Sequence, residues 1–214
     1  MNGMIIAVDG PAASGKGTLT ERLAGHFELA RLDTGLIYRA VGLKLIRDNG
    51  NPKDPAVAVA AAQALSLTDL EQDDLRREEV GLAASKVATL PDVRAILLLF
   101  QRDFAARPPN GKSGAVLDGR DIGTVVCPEA PYKLFLTASA DVRAARRFKE
   151  LQARGAEAIY ARILRDIKDR DTRDMSRSAA PLEPAKDAFV LDTSDLDADA
   201  VFAAALHYIN SQNL

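Results

Sequence analysis

The residues with most chemical potential lie near the start of the chain. Gly10-Pro11-Ala12-Ala13-Ser14-Gly15-Lys16-Gly17-Thr18 follows an apolar run that closes on Asp9. A strand that feeds a glycine-rich loop, with a lysine just before a helical pattern, makes a polyphosphate site from backbone alone. Gly10 and Gly15 permit backbone angles and a close approach that a Cβ would block. The loop N–H groups then point inward at the positive end of the next helix. Lys16 adds a mobile positive charge for β and γ phosphates. The spacing G-x-x-x-x-G-K is met, but Gly17 follows the lysine and the hydroxyl comes one residue late, at Thr18.

Two further groups stand at the expected carboxyl ends of strands, where open parallel sheets bind ligands. The second strand ends in Asp33-Thr34-Gly35, followed by Tyr38-Arg39; the third ends in Asp118-Gly119-Arg120-Asp121. Asp118, behind an apolar run, suits a carboxylate on the Mg²⁺ side acting through water, beside the Thr18 hydroxyl. Arg39, Arg94 and Arg120 gain weight as a set, because guanidinium groups grip phosphate with two parallel donors. Arginines are dense between Arg143 and Arg177. Arg143, Arg154 and Arg165 read as solvated helix faces with acidic partners nearby. Residues 170–177 read as running past a helix end toward Pro181 and Pro184, where cations can swing over bound phosphates as a lid.

Elements that would position these groups follow from periodicity. Leu19, Leu23 and Phe27 share one helical face. Helices are predicted over 37–49, 56–65 (Asp54 as N-cap, Pro55 first), 78–89, 92–106, from a cap at Asp141 to about 154, over 159–171, and over 198–210. Short apolar strands are predicted near 4–9, 29–32, 115–118, 133–137 and 189–192, with a small edge strand over 65–70. Strands alternating with helices predict an α/β fold: a five-stranded parallel sheet covered on both faces. The mostly helical stretch between the second and third strands is too long for a simple crossover and reads as an inserted subdomain.

Bulk properties exclude several classes. The 214 residues carry a net charge of −2, so no global basic field grips nucleic acid. One cysteine, Cys127, permits no internal disulfide, and with only two histidines a structural zinc site is not expected. No stretch approaches the roughly 20 apolar residues of a membrane span. These features predict a cytoplasmic protein, and a monomer is expected.

Taken together, the motifs resemble the cytidylate kinase family of bacterial type. The resemblance is carried by residues 9–18, 32–35 with Tyr38 and Arg39, 118–126, Pro128-Glu129-Ala130-Pro131, 170–174, Arg177 and Ala180-Pro181-Leu182. It implies a P-loop NTPase fold in three layers, with core segments near 1–36, 113–145 and 178–214. An NMP-binding insert is implied near 37–112 and a short lid near 146–177. It implies ATP as donor, held by Gly10, Pro11, Ala12, Ala13, Ser14, Gly15, Lys16, Gly17 and Thr18, with Mg²⁺ near Thr18 and Asp118. It implies CMP or dCMP as acceptor: Arg39, Arg120 and Arg177 on the phosphate, Thr34, Arg170 and Asp174 on the sugar, Ser85, Arg94 and Asp121 on the base, with Tyr38 in the same site. Lys16, Arg39, Arg120 and Arg177 are then the catalytic cations. Departures are modest: Thr34 replaces a usual serine, Cys127 a common phenylalanine, and the 108–114 loop is long. A kinase for a small alcohol and a nucleotide-binding switch are the rival readings.

Overall fold

The computed structural model describes residues 3–177 and 180–212. The expected core boundary at 178 and the chain ends at 1–2 and 213–214 lie outside the described residues. Five strands, β1 (Met4–Asp9), β2 (Ala30–Asp33), β3 (Gly114–Gly119), β4 (Tyr132–Thr137) and β5 (Phe189–Asp192), form one sheet in the order β2-β3-β1-β4-β5. β1 pairs in parallel with β3, from Met4 opposite Gly114 to Asp9 opposite Gly119, and with β4, Asp9 opposite Phe135. β4 pairs in parallel with β5, Thr137 opposite Asp192. The carboxyl ends of these strands therefore lie side by side. Ile6, Ala7 and Val8 are buried, the uninterrupted apolar run of a central strand covered on both faces.

The chain divides into two compact units, Met1–Arg31 with Ala105–Leu214, and Leu32–Phe104. The larger unit carries α1 (Lys16–His26), α6 (Ala140–Ala153), α7 (Tyr160–Met175) and α8 (Ala198–Ser211). Its main core joins Ile6, Val8, Leu19, Leu23, Val116, Leu134, Leu136, Val201 and Ile209. The smaller unit holds α2 (Thr34–Arg47), α3 (Pro55–Gln63), α4 (Glu78–Val87) and most of α5 (Pro91–Ala106). Ala40, Leu43, Leu75 and Val80 make a core there. Gly42 of α2 lets α4 come close: a Cβ on it would stand 2.9 Å from the Ala84 nitrogen. Among the described residues, no helix is long and apolar enough to cross a membrane.

Several boundaries differ from the sequence reading for local reasons. Residues 65–70 form no strand. Asp69 accepts from the backbone N–H and the hydroxyl of Ser66, both at 2.8 Å, and this box closes a 3₁₀ turn, Leu67–Glu71. α2 starts at Thr34 with no intervening turn, because Asp33 caps it by accepting from the Gly35 N–H at 2.9 Å. The cap of α6 is Ser139, whose hydroxyl accepts from the Val142 N–H at 3.3 Å; Asp141 sits in the first turn. α7 continues to Met175, beyond the expected end at 171. Ile163 and Ile167 pack it on Ala144, with Phe148 and Leu151 alongside. Asp54 caps α3 as expected, with Pro55 as its first residue.

Candidate active site

The loop between β1 and α1 is shaped by its backbone and by three side-chain donors. Gly10 has φ 142, and a Cβ there would lie 2.0 Å from the Leu136 carbonyl oxygen, so only glycine fits. Gly15 has φ 94, and Ala13 takes a left-handed φ of 60 without glycine's freedom. Lys16 Nζ donates to the Pro11 carbonyl at 2.8 Å, and Arg143 Nη1 donates to the Ala12 carbonyl at 3.2 Å. The Thr193 hydroxyl lies 3.1 Å from the Ser14 carbonyl. A trans peptide whose carbonyl is drawn one way aims its N–H the other way. The loop is thus built to turn amides toward an anion. The Ser14 hydroxyl is buried and has no partner in the protein.

A cavity of about 220 Å³ opens beside this loop, lined by Ser14, Gly15, Thr18, Arg146, Thr193 and Asp197 among others. Arg146 Nη1 donates to Thr193 Oγ1 at 2.9 Å, which sets one wall. Sequence reasoning named the loop residues but missed Arg146, Thr193 and Asp197 as lining. The signal for Thr193 was present: it follows directly after β5, at a strand end.

The charges under the loop perturb one another. Lys16 is buried, and desolvation, aided by Arg120 and Arg170, pushes its ammonium down to about 7 against the pull of Asp118 and Asp9. Asp9 is also buried. Desolvation lifts its carboxyl to about 6, although it accepts the N–H groups of Ile122 at 2.8 Å and Gly123 at 2.7 Å. Asp9 was quoted in the motif but given no task; here it fixes the turn that follows Arg120 and Asp121. That turn, Ile122–Val126, is a single π-helical turn, a rarity that gathers at functional sites. Asp118 Oδ2 lies 2.9 Å from the Thr20 hydroxyl and 3.9 Å from Arg31 Nη2. Thr18 and Asp118 offer hard oxygen donors, the kind Mg²⁺ takes. Among the described residues, no group of three or more His, Cys, Asp and Glu forms a metal cage.

Three arginines expected in the site collect on one carboxylate. Asp174, buried on α7, accepts from Arg120 Nε at 2.9 Å and from Arg177 Nη2, with Arg170 Nε 3.8 Å away. Burial pushes the Asp174 carboxyl up, but Arg120, Arg177 and Arg170 outweigh it and hold it below the usual carboxylate range. Arg170 and Asp174 lie on the helix rather than past its end; only Arg177 lies beyond it. One expectation is corrected outright. Arg143 is not a solvated surface residue: it is buried and paired with Asp171. Arg154 does pair at the surface, with Glu150.

Within the smaller unit, Thr34, Tyr38 and Arg39 lie on α2, Ser85 on α4 and Arg94 on α5. Arg39 Nη1 donates to the Leu75 carbonyl at 2.8 Å, and Gly81 leaves room for its guanidinium.

With both units described, the family can be decided. The model of the family described as cytidylate kinase matches residues 6–211. The chain belongs to that family. Among curated cytidylate kinases, that of Paramagnetospirillum magneticum is 64% identical over 97% of this chain and 98% of its own length. That of Methylocella silvestris is 55% identical over 97% and 94%. Among solved structures, a gluconokinase from Sinorhizobium meliloti aligns with a TM-score of 0.51 at 13% identity, over 98% of this chain and 93% of its own. That likeness concerns the fold alone, which cytidylate kinases share with kinases for other acceptors.

Proposed function

We propose that this protein transfers the γ-phosphoryl group of ATP to the phosphate of CMP or dCMP, giving ADP and CDP or dCDP. The observation that carries this reading is the pairing, in one unit, of a loop shaped to expose amides with the arginines gathered at Asp174. Family membership supports the choice of cytidine.

In this reading the loop of residues 10–18 holds the donor phosphates, and the cavity beside it takes the donor nucleoside. Thr18 and Asp118 would hold Mg²⁺, directly or through water, and the ion would supply charge that neutralises the donor phosphates. Lys16 exchanges the Pro11 carbonyl for phosphate oxygens, whose negative charge favours its ammonium form. Arg120 and Arg177 hold the acceptor phosphate, and Arg39 is assigned to the same group. Arg170, Asp174 and Thr34 are assigned to the sugar. Asp121, Arg94 and Ser85, with Tyr38 nearby, are assigned to the base. A carboxylate accepts from the exocyclic amino group of cytosine and repels the carbonyl that uracil carries there. No general base is needed, because a phosphate monoester with a second pKa of about 6 is already a nucleophile near neutrality. The work left to the protein is positioning, exclusion of water and positive charge. We also propose that the Leu32–Phe104 unit supplies the monophosphate clasp, that residues 146–177 serve as the lid, and that the enzyme acts as a cytoplasmic monomer in pyrimidine nucleotide metabolism.

A coupled ADP-release assay across CMP, dCMP, UMP, AMP and sugar acids tests the reading. CMP and dCMP should give the highest kcat/KM. Preferred turnover of a sugar acid would replace this function with that of an alcohol kinase. Tight nucleotide binding without repeated turnover would replace it with a switch.

A further inference from the structure

Arg143 is buried, yet it belongs to none of the groups assigned above. It comes from the first turn of α6 and spends its whole fork. Nε donates to the Ala138 carbonyl at 2.9 Å, and Nη1 reaches the Ala12 carbonyl at 3.2 Å. Nη1 also meets Asp171 Oδ1 at 3.0 Å, while Nη2 meets Oδ2 of the same carboxylate. Asp171 lies on α7, directly after Arg170 and three residues before Asp174. One guanidinium thus ties the phosphate loop to the helix that bears two of the proposed acceptor residues.

The loop end of this tie falls at a strained place. The carbonyl of Ala12 belongs to the peptide that leads into Ala13, whose φ is 60. A left-handed conformation costs an L-residue roughly 1–2 kcal/mol. Something must hold the preceding peptide plane, and Arg143 is the donor on it.

We propose that Arg143 is a positioning residue for the donor site. Oriented by Asp171, it holds the Ala12–Ala13 peptide in the strained form that binds phosphate. This rests on the reading of the loop as the ATP site, and not on the identity of the acceptor. A lysine cannot span both Asp171 and the Ala12 carbonyl, because the planar fork is lost. Without the tie, the loop relaxes into forms in which Ala13 is right-handed. Apparent affinity then falls with the competent fraction. Glycine at position 13 would remove the penalty, since it takes either hand at similar cost.

The test is a double-substitution cycle read by titration calorimetry with a non-hydrolysable ATP analogue and Mg²⁺. Arg143→Lys should weaken binding about tenfold, near the net worth of one charged hydrogen bond. Asp171→Asn should act in the same direction. In an Ala13→Gly background, the loss caused by Arg143→Lys should shrink to about threefold or less, the mark of coupled neighbours. Stability loss alone would not be rescued in this way. Unchanged affinity in both Arg143→Lys and Asp171→Asn, or a loss of equal size in both backgrounds, overturns the inference. If Arg143→Lys does not fold, the cycle of Asp171→Asn with Ala13→Gly decides by the same criterion. CMP turnover by the unsubstituted protein is measured separately. Its failure, with analogue binding intact, removes the acceptor assignment and leaves the role of Arg143 standing.

Discussion

The donor and acceptor sides of the larger unit are made from different materials. The loop proposed for the donor is backbone: its carbonyls are tied to Lys16, Arg143 and Thr193, which leaves its amides for phosphate in the proposed reading. The acceptor side is side chain: Arg120 and Arg177 meet on Asp174, with Arg170 close by. A backbone site is fixed by the fold and reads only the shape and charge of its ligand. A side-chain site begins with Arg120, Arg177 and Arg170 oriented around one carboxylate, so positive charge remains for an incoming phosphate. The first arrangement gives general affinity for polyphosphate, and the second gives room for selection.

The difference can be broken from either side, starting with the donor. Lys16→Ala should lower kcat by about 10³ in steady-state assays with ATP and CMP, the scale of removing a donor aimed at developing charge. Near-normal turnover would dissolve the donor assignment. On the acceptor side, Asp174→Ala should cut kcat/KM for CMP by roughly 10², since two half-buried guanidinium groups lose the carboxylate that orients them. KM for ATP should move less than about threefold if the two sides bind independently. Equal changes in both KM values would show that they do not. A smaller effect is expected from Asp121→Ala, a drop of about tenfold in the preference for CMP over UMP. Unchanged selectivity would remove Asp121 from reading the base.

The smallest expected effect is on acid stability. Asp174 has a folded pKa below its unfolded value, so its contribution is complete above about pH 4 and vanishes as pH falls through the lowered value. Thermal midpoints of the unsubstituted protein and of Asp174→Asn should differ at pH 7 and converge as the pH drops below that range. Curves that stay parallel would mean that the arginines around Asp174 do not set its charge.

What the sequence made legible divides along the same line. The loop was readable because glycine, lysine and hydroxyl must follow one another in order after a strand. The five strands were readable because buried parallel strands are short unbroken apolar runs. The long-range side-chain pairs were not. Arg143 stands on a helix whose sequence is rich in charge, and nothing local separates a buried arginine from a solvated one. Its carboxylate lies 28 positions away on the next helix. Asp174 was named for the sugar by the resemblance alone; its place beside Arg120, 54 positions earlier, is not written in the local sequence. The cap of α6 was misread because the Ser139 hydroxyl takes a first-turn N–H, and the 3₁₀ turn because the Asp69 carboxylate takes the Ser66 N–H. The extra turn of α7 carries Asp174, whose bonds to Arg120 and Arg177 are not visible in the local sequence.

The central place of β1 also bears on how the chain is made. Its neighbours, Gly114–Gly119 and Tyr132–Thr137, are synthesised more than a hundred positions after Met4. At ribosomal speeds of about 5–20 residues per second, the first strand waits roughly 5–30 seconds for both flanking partners. During that delay Leu32–Phe104 emerges with a helical core of its own. The loop after β1, made well before both flanking strands, is thus among the last parts to take its native shape.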